Sequence, residues 1–167
     1  MNETPQQYAQ RVVGYLEGKD AVEVLSTTPR ELQKLVKEAS KKSLDAKPAP
    51  DKWSATIILA HLADTEIVYA CRLRFMLGAS GITIQGVDQD AWAVTFDYGT
   101  ENPAASVEDF RVNRERTIRM LKKLSPQQWD CYGMHTERGK ETVRRVVELL
   151  AGHDLNHLRQ IQAILGK

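Results

Sequence analysis

The sequence predicts an all-α helical bundle, and three observations predict it. Apolar residues recur with the helical period of about 3.6 through three long stretches, Ala55 to Leu77, Val107 to Leu124 and Thr142 to Leu165. Ser, Thr or Asp followed by proline or an acidic residue marks successive helix starts, while glycine and proline mark the stops. Nothing alternates with period two over a useful length and no internal repeat is visible, so neither a sheet nor a solenoid is expected. At 167 residues the chain fits one domain, 1–167, large enough to bury a core without disulfide staples.

Taken in order, Thr4-Pro5 is a cap with proline at the first helical position, opening a short helix through Leu16 that ends at Gly18. Asp20 to Leu25 adds a turn or two. Thr28-Pro29 repeats the start signal, and Leu32, Leu35, Val36 and Ala39 stripe the next helix to about Lys41. Lys47-Pro48-Ala49-Pro50 stops it. Ser54 is the next N-cap, with Trp53 placed to pack on Ile58 as a hydrophobic staple, and Gly78 is the C′ residue of the long helix that follows. From Ala79 to Ala105 the periodicity breaks around Gly81, Gly86, Gly99 and Pro103, with one helical turn expected at Asp88 to Val94; a loop this long is usually functional. Ser106 and Asp109 form a capping box for the third long helix. Ser125-Pro126 starts a short helix with Trp129, and Cys131 to Lys140 is a polar loop before the last helix.

Charge and composition narrow the function classes. Lys plus Arg number 23 against 22 acidic residues, interspersed, so no basic stripe offers itself to nucleic acid. The N-terminal residues lack a basic region followed by an apolar one, and no apolar run reaches the length of a spanning helix, so a soluble cytoplasmic protein with no membrane partner is expected. Cys71 and Cys131 form no CxxC and read as free thiols in a reducing compartment, Cys71 as a small buried hydrophobe and Cys131 as a loop residue with no adjacent base.

The chemistry concentrates in four histidines. His153 and His157 stand at i, i+4 in the last helix, about 6 Å apart at Cβ, a separation from which both rings reach one ion. His61 interrupts the apolar stripe of the long helix two turns from its start. If these helices are neighbours, three neutral nitrogens meet and leave coordination positions open, as in catalytic zinc-type sites. Asp64 or Asp154 is then placed to orient an imidazole, since ligand histidines usually donate their other N–H. The competing reading is a set of hydrogen-bonded core histidines. The run His153-Asp154-Leu155-Asn156-His157 also echoes the zinc-protease H-E-x-x-H, but aspartate stands where the glutamate base belongs and little chain remains for a downstream ligand. His135 reads as an exposed loop residue, with a place at the rim of a pocket as the alternative.

Three segments carry a resemblance: Lys52 to Glu66, with W-S-x6-H-L; His135-Thr136-Glu137-Arg138-Gly139; and His153 to Leu158, with H-x-x-x-H-L. Together they resemble the DinB/YfiT-like family of bacterial proteins, over essentially the whole chain from Ala21 onward. The resemblance implies a four-helix bundle of up-down-down-up connectivity, often a homodimer, with His61, His153 and His157 binding a divalent metal such as zinc or nickel. It further implies a thiol-dependent S-transferase that joins a low-molecular-weight thiol of the bacillithiol or mycothiol type to an electrophilic small molecule. A metal-dependent hydrolase on the same site, or a non-catalytic stress-response metal-binding bundle, are the alternatives. A divalent ion on three neutral ligands would ionise a thiol or bring the pKa of water to about 7. Trp92, Phe96 and Tyr98 from the long loop are candidate pocket residues, with Arg72 or Arg159 as anchors for an anionic group; packing of the loop and solvated charge are the competing readings.

Overall fold

A side-chain cap opens each of the seven α-helices in the computed structural model, which describes residues 3–167. Helix α1 (Pro5–Gly14) starts with a capping box between Thr4 and Gln7, α2 (Ala21–Glu38) with Asp20, and α3 (Lys41–Asp45) with Ser40. Helix α4 (Ala55–Gly78) starts on Ser54 as expected, but the chain stays helical through Gly78, and Ala79 is its cap. Helix α5 (Gln89–Thr95) supplies the turns expected in the long loop. Helix α6 (Pro103–Leu121) begins earlier than the Ser106–Asp109 capping box predicted: the Asn102 side chain takes the N–H groups of Ala104 and Ala105, and Pro103 fills the first position. Helix α7 (Val143–Leu165) starts on Thr142.

The second start signal, Thr28-Pro29, lies inside α2 and starts nothing. Proline lacks the N–H that would bond the carbonyl four residues back, so the Leu25 oxygen is left without a helical partner. The guanidinium of Arg114, from α6, supplies it: Nη1 donates to Leu25 O at 3.2 Å. A long-range contact thus permits the proline.

Helices α2 and α4 each pack on both α6 and α7, which puts these consecutive helices at opposite corners of a four-helix bundle, with α1 lying along α7. The core divides into two apolar clusters. One holds Leu25, Leu73, Met76, Leu121, Val147 and Leu150; the other holds Leu32, Leu59, Leu62, Phe110, Leu158 and Ile161. Between them, on each of the four bundle helices, sit polar residues: Thr28 on α2, His61 and Glu66 on α4, Arg114 and Thr117 on α6, and His153, Asp154 and His157 on α7, all buried. These polar residues therefore form a layer across the middle of the bundle.

The fold is not purely helical. Strands β1 (Ile82–Ile84), β2 (Tyr132–His135) and β3 (Gly139–Thr142) form a small sheet in that order, β1 parallel to β2 and β2 antiparallel to β3. The predicted polar loop at 131–140 is this hairpin. His135 is consequently a buried strand residue, 3% exposed, opposite Ile84 and Gly139. Cys71 departs from expectation the other way, standing exposed on the outer face of α4. No helix among the described residues is long and apolar enough to cross a membrane.

Gly152 fixes how closely α1 approaches α7. A Cβ there would lie 2.1 Å from the Val12 carbonyl oxygen and 2.5 Å from its carbon, both backbone atoms of α1. Gly152→Ala is expected to push α1 off α7 and cost about 1–3 kcal/mol, the range for overpacking. Urea denaturation, with faster hydrogen exchange confined to α1, would check it.

Candidate metal centre

Three buried imidazoles meet where α4 faces α7. Their exposures are 7% for His61, 6% for His153 and 5% for His157. His61 Nε2 and His157 Nε2 each lie 3.1 Å from His153 Nε2, and the three ring nitrogens all fall within 4.8 Å of one another. Burial pulls the pKa of His61 down to about 3, helped by His157, and that of His157 down to about 4, with the Gln160 hydrogen bond opposing. Burial, the two neighbouring rings and the Arg114 charge hold His153 well below the usual range. All three are neutral donors at physiological pH.

The donor set fits a divalent ion. In a tetrahedral site with Zn–N bonds of about 2.0–2.1 Å the ligand nitrogens lie roughly 3.3 Å apart, close to the separations found. Three neutral rings alone cannot satisfy three converging Nε2 atoms, because a lone pair facing a lone pair gains nothing; a cation between them satisfies all three. The His157 tautomer agrees. Gln160 Oε1 lies 2.8 Å from His157 Nδ1, which places the hydrogen on Nδ1 and leaves the Nε2 lone pair free. His153 Nδ1 is buried without a partner. Trp53 packs on His61 edge to face, ring centroids 5.1 Å apart, so this tryptophan walls the site.

Neither aspartate orients an imidazole. Asp64 accepts the Tyr98 hydroxyl at 2.5 Å and lines the groove beside Tyr98. Asp154 is buried against Arg114, which also binds Glu66: Nη1 donates to Asp154 Oδ2 at 2.5 Å, Nη2 to Asp154 Oδ1 at 3.2 Å and Nε to Glu66 Oε2 at 2.7 Å. Burial pushes the Glu66 carboxyl up, with Arg114 and the Thr117 hydroxyl opposing. Burial opposes the Arg114 charge too, but its two carboxylates outweigh that and keep it protonated. Since Asp154 sits between the two α7 histidines and Glu66 lies just beyond His61, the triad sets the rotation of α7 against α4. Sequence reading missed Arg114 and Glu66. Their signal was a charge at a core-facing position in each apolar stripe, Phe110-Arg114-Ile118 and Leu62-Glu66-Leu73.

A cavity of about 370 Å³ opens onto His61 and His153, lined further by Tyr8 of α1, by Thr65, Val68, Tyr69 and Arg72 of α4, by Val87 and Trp92, and by His135 and Arg138 of the hairpin. Of the pocket residues expected from sequence, Trp92 and Arg72 are here. Phe96 and Tyr98 are not: with Asp64 they line an adjoining groove that shares Val68 and Trp92 with the cavity. Arg159 is absent as well, its guanidinium lying over the Tyr15 ring at 4.2 Å near Glu17. Helix phase turns Arg159 to the outer face, two positions past His157.

A profile of the DinB superfamily matches residues 25–161. The chain belongs to the DinB superfamily. Its relatives in that superfamily include two proteins of Oceanobacillus iheyensis, 24% identical over 136 residues (81% of this chain, 78% of the relative) and 28% identical over 115 residues (68% and 65%). YfiT of Bacillus subtilis is 26% identical over 142 residues, 84% of this chain and 79% of its own. All three carry the name "putative metal-dependent hydrolase". The solved structure of YfiT, described as having "an unusual four-helix bundle topology", superposes with a TM-score of 0.81 at 21% identity, covering 98% of this chain and 88% of YfiT. The DinB histidines carry a pH consequence. In the unfolded chain an imidazole titrates near 6.5, whereas here His61 and His157 titrate near 3 and 4. On acidification the unfolded chain takes up protons first, so their contribution to stability is complete above about pH 6.5 and is lost as pH falls toward 4. Denaturant midpoints of the metal-free protein are expected to drop steadily over that window, and the His61→Gln/His157→Gln variant to drop less.

Proposed function

We propose that this protein is a divalent-metal-dependent enzyme in which His61, His153 and His157 hold the ion and the adjacent cavity holds a small-molecule substrate. Hydrolysis is the reaction favoured. The convergence of three uncharged Nε2 atoms at the wall of an open cavity carries the proposal. A divalent cation on three neutral donors supplies Lewis acidity, enough to bring water to a pKa of about 7 or to ionise a thiol. The chain's own residues do the rest: burial keeps the rings neutral, Gln160 fixes the His157 tautomer, and the cavity leaves His61 and His153 approachable. Imidazole donors suit zinc and nickel alike. Thiol S-transfer is the same site with a different nucleophile. The order in which the helices cross the two apolar clusters supports up-down-down-up connectivity, since α2 and α7 pass from the Leu25 cluster to the Leu32 cluster while α4 and α6 pass the opposite way.

Elemental analysis of protein purified without a metal-affinity tag tests the proposal, followed by cobalt substitution and a panel of esters, amides and lactones with and without added thiol. Near-stoichiometric metal with thiol-independent turnover supports hydrolysis; turnover only with thiol, with a shift of the cobalt spectrum, supports transfer. No metal and no uptake on adding zinc or nickel would sink both.

A further inference from the structure

The cavity that starts at His61 and His153 has Arg72 at its far end. Arg72 stands eleven residues along α4 from His61, roughly 16 Å at the helical rise of about 1.5 Å per residue, with Thr65 and Val68 between them on the same wall. Its guanidinium lies over the Tyr69 ring at 5.2 Å and donates to the Gln85 carbonyl, and it forms no ion pair among the described residues. Most of the other charges lining the cavity are engaged: Arg138 is clamped by Glu141 through Nε at 2.7 Å and Nη2 at 3.0 Å, Glu3 pairs with Arg11 and Asp88 caps α5, while the Glu137 carboxylate, beside Gly86, forms no ion pair with Arg72 or any other described residue. A half-buried guanidinium with no carboxylate is an open invitation to one, because its planar fork matches carboxylate geometry.

His135 adds a second donor. Its Nδ1 accepts the Glu137 N–H at 3.1 Å, so the neutral ring carries its hydrogen on Nε2. Burial, with Arg138 and Arg72 assisting and the Glu141 and Glu137 carboxylates opposing, favours that neutral ring. No protein acceptor meets Nε2 among the described residues, although the ring is 3% exposed and lines the cavity. Between this end and the histidines the wall is largely apolar, with Val68, Val87 and the Trp92 ring.

We propose that the cavity takes an elongated small molecule bearing a carboxylate, its acid group held by Arg72 and by the Nε2–H of His135, its apolar body against Val68, Val87 and Trp92, and its reactive end at the three histidines. Only the last clause rests on the metal-enzyme reading. Charge recognition does not.

Calorimetric titration of chelator-treated protein with 3-phenylpropionate, and with the amide and amine of the same skeleton, tests it free of any metal–carboxylate bond. The acid is expected to bind at least about tenfold more tightly than the amide, as one charge-assisted pair would give, and the amine not to bind. Arg72→Met should abolish the preference, Arg72→Lys should keep part of it as a point charge, and His135→Phe should weaken the acid alone; circular dichroism would show each variant folded. Equal binding of acid and amide, no binding of any probe at millimolar concentration, or a preference that survives Arg72→Met overturns the proposal. A protein that takes up no metal yet prefers the acid removes the metal reading and keeps this one; a metal-loaded protein with no preference does the reverse.

Discussion

Arg114→Met is expected to destabilise the protein by about 3–5 kcal/mol, the cost of breaking a buried ion pair by removing one partner. The magnitude follows from what is stranded. Arg114 is 1% exposed, and Glu66 and Asp154 are fully buried, so neither carboxylate can turn to water when the guanidinium goes. The Leu25 carbonyl that Pro29 leaves open loses its donor as well. Part of the loss should be recovered by protonating the carboxylates, so the deficit should shrink as pH falls toward 5. The triple change Arg114→Met, Glu66→Leu, Asp154→Leu should regain much of the stability, because an apolar replacement of similar volume removes the stranded charges. Urea midpoints at two pH values measure both effects. Equal stability of Arg114→Met and the unaltered protein would mean that the triad is not what locks the bundle's middle layer.

His153→Ala is expected to abolish stoichiometric metal binding while changing the stability of the metal-free protein little. It removes the nitrogen that both other rings approach at 3.1 Å, so affinity should fall by more than the roughly 10–100-fold that loss of an outer hydrogen-bonding partner costs. Gln160→Ala, which only frees the His157 ring, should fall within that range. Two terms oppose each other in the metal-free fold. The variant leaves a cavity, but it also removes a buried Nδ1 that has no hydrogen bond. Competition against a chromophoric chelator reads the affinities, and thermal unfolding with and without zinc separates the two effects. Retention of one tightly bound ion by His153→Ala would show that these histidines are not the ligands.

The helices and the three histidines were legible because both signals are local. Periodicity near 3.6 and caps such as Thr4 and Ser54 act within a few residues, and the i, i+4 spacing of His153 and His157 puts two rings on one face whatever packs against it. The same locality misled at Thr28-Pro29, where a guanidinium far along the chain takes the freed carbonyl, and at Ser106, whose start signal lost to Asn102-Pro103 one turn earlier.

What depended on partners distant in sequence was hidden. Strands of three or four residues carry no period of their own, and β1 finds β2 only because α4 and α7 bring their ends together; that pairing alone turns His135 from a loop residue into a buried donor facing the cavity. Asp64 and Asp154 stood close enough in sequence to serve the imidazoles, yet Tyr98 and Arg114 claim them. Sequence by itself determined the helices and which side chains can face inward. Tertiary structure decided which inward charges pair with one another, and so which one, Arg72, is left without a carboxylate, because pairing is settled by distances between helices that no spacing along a single helix encodes.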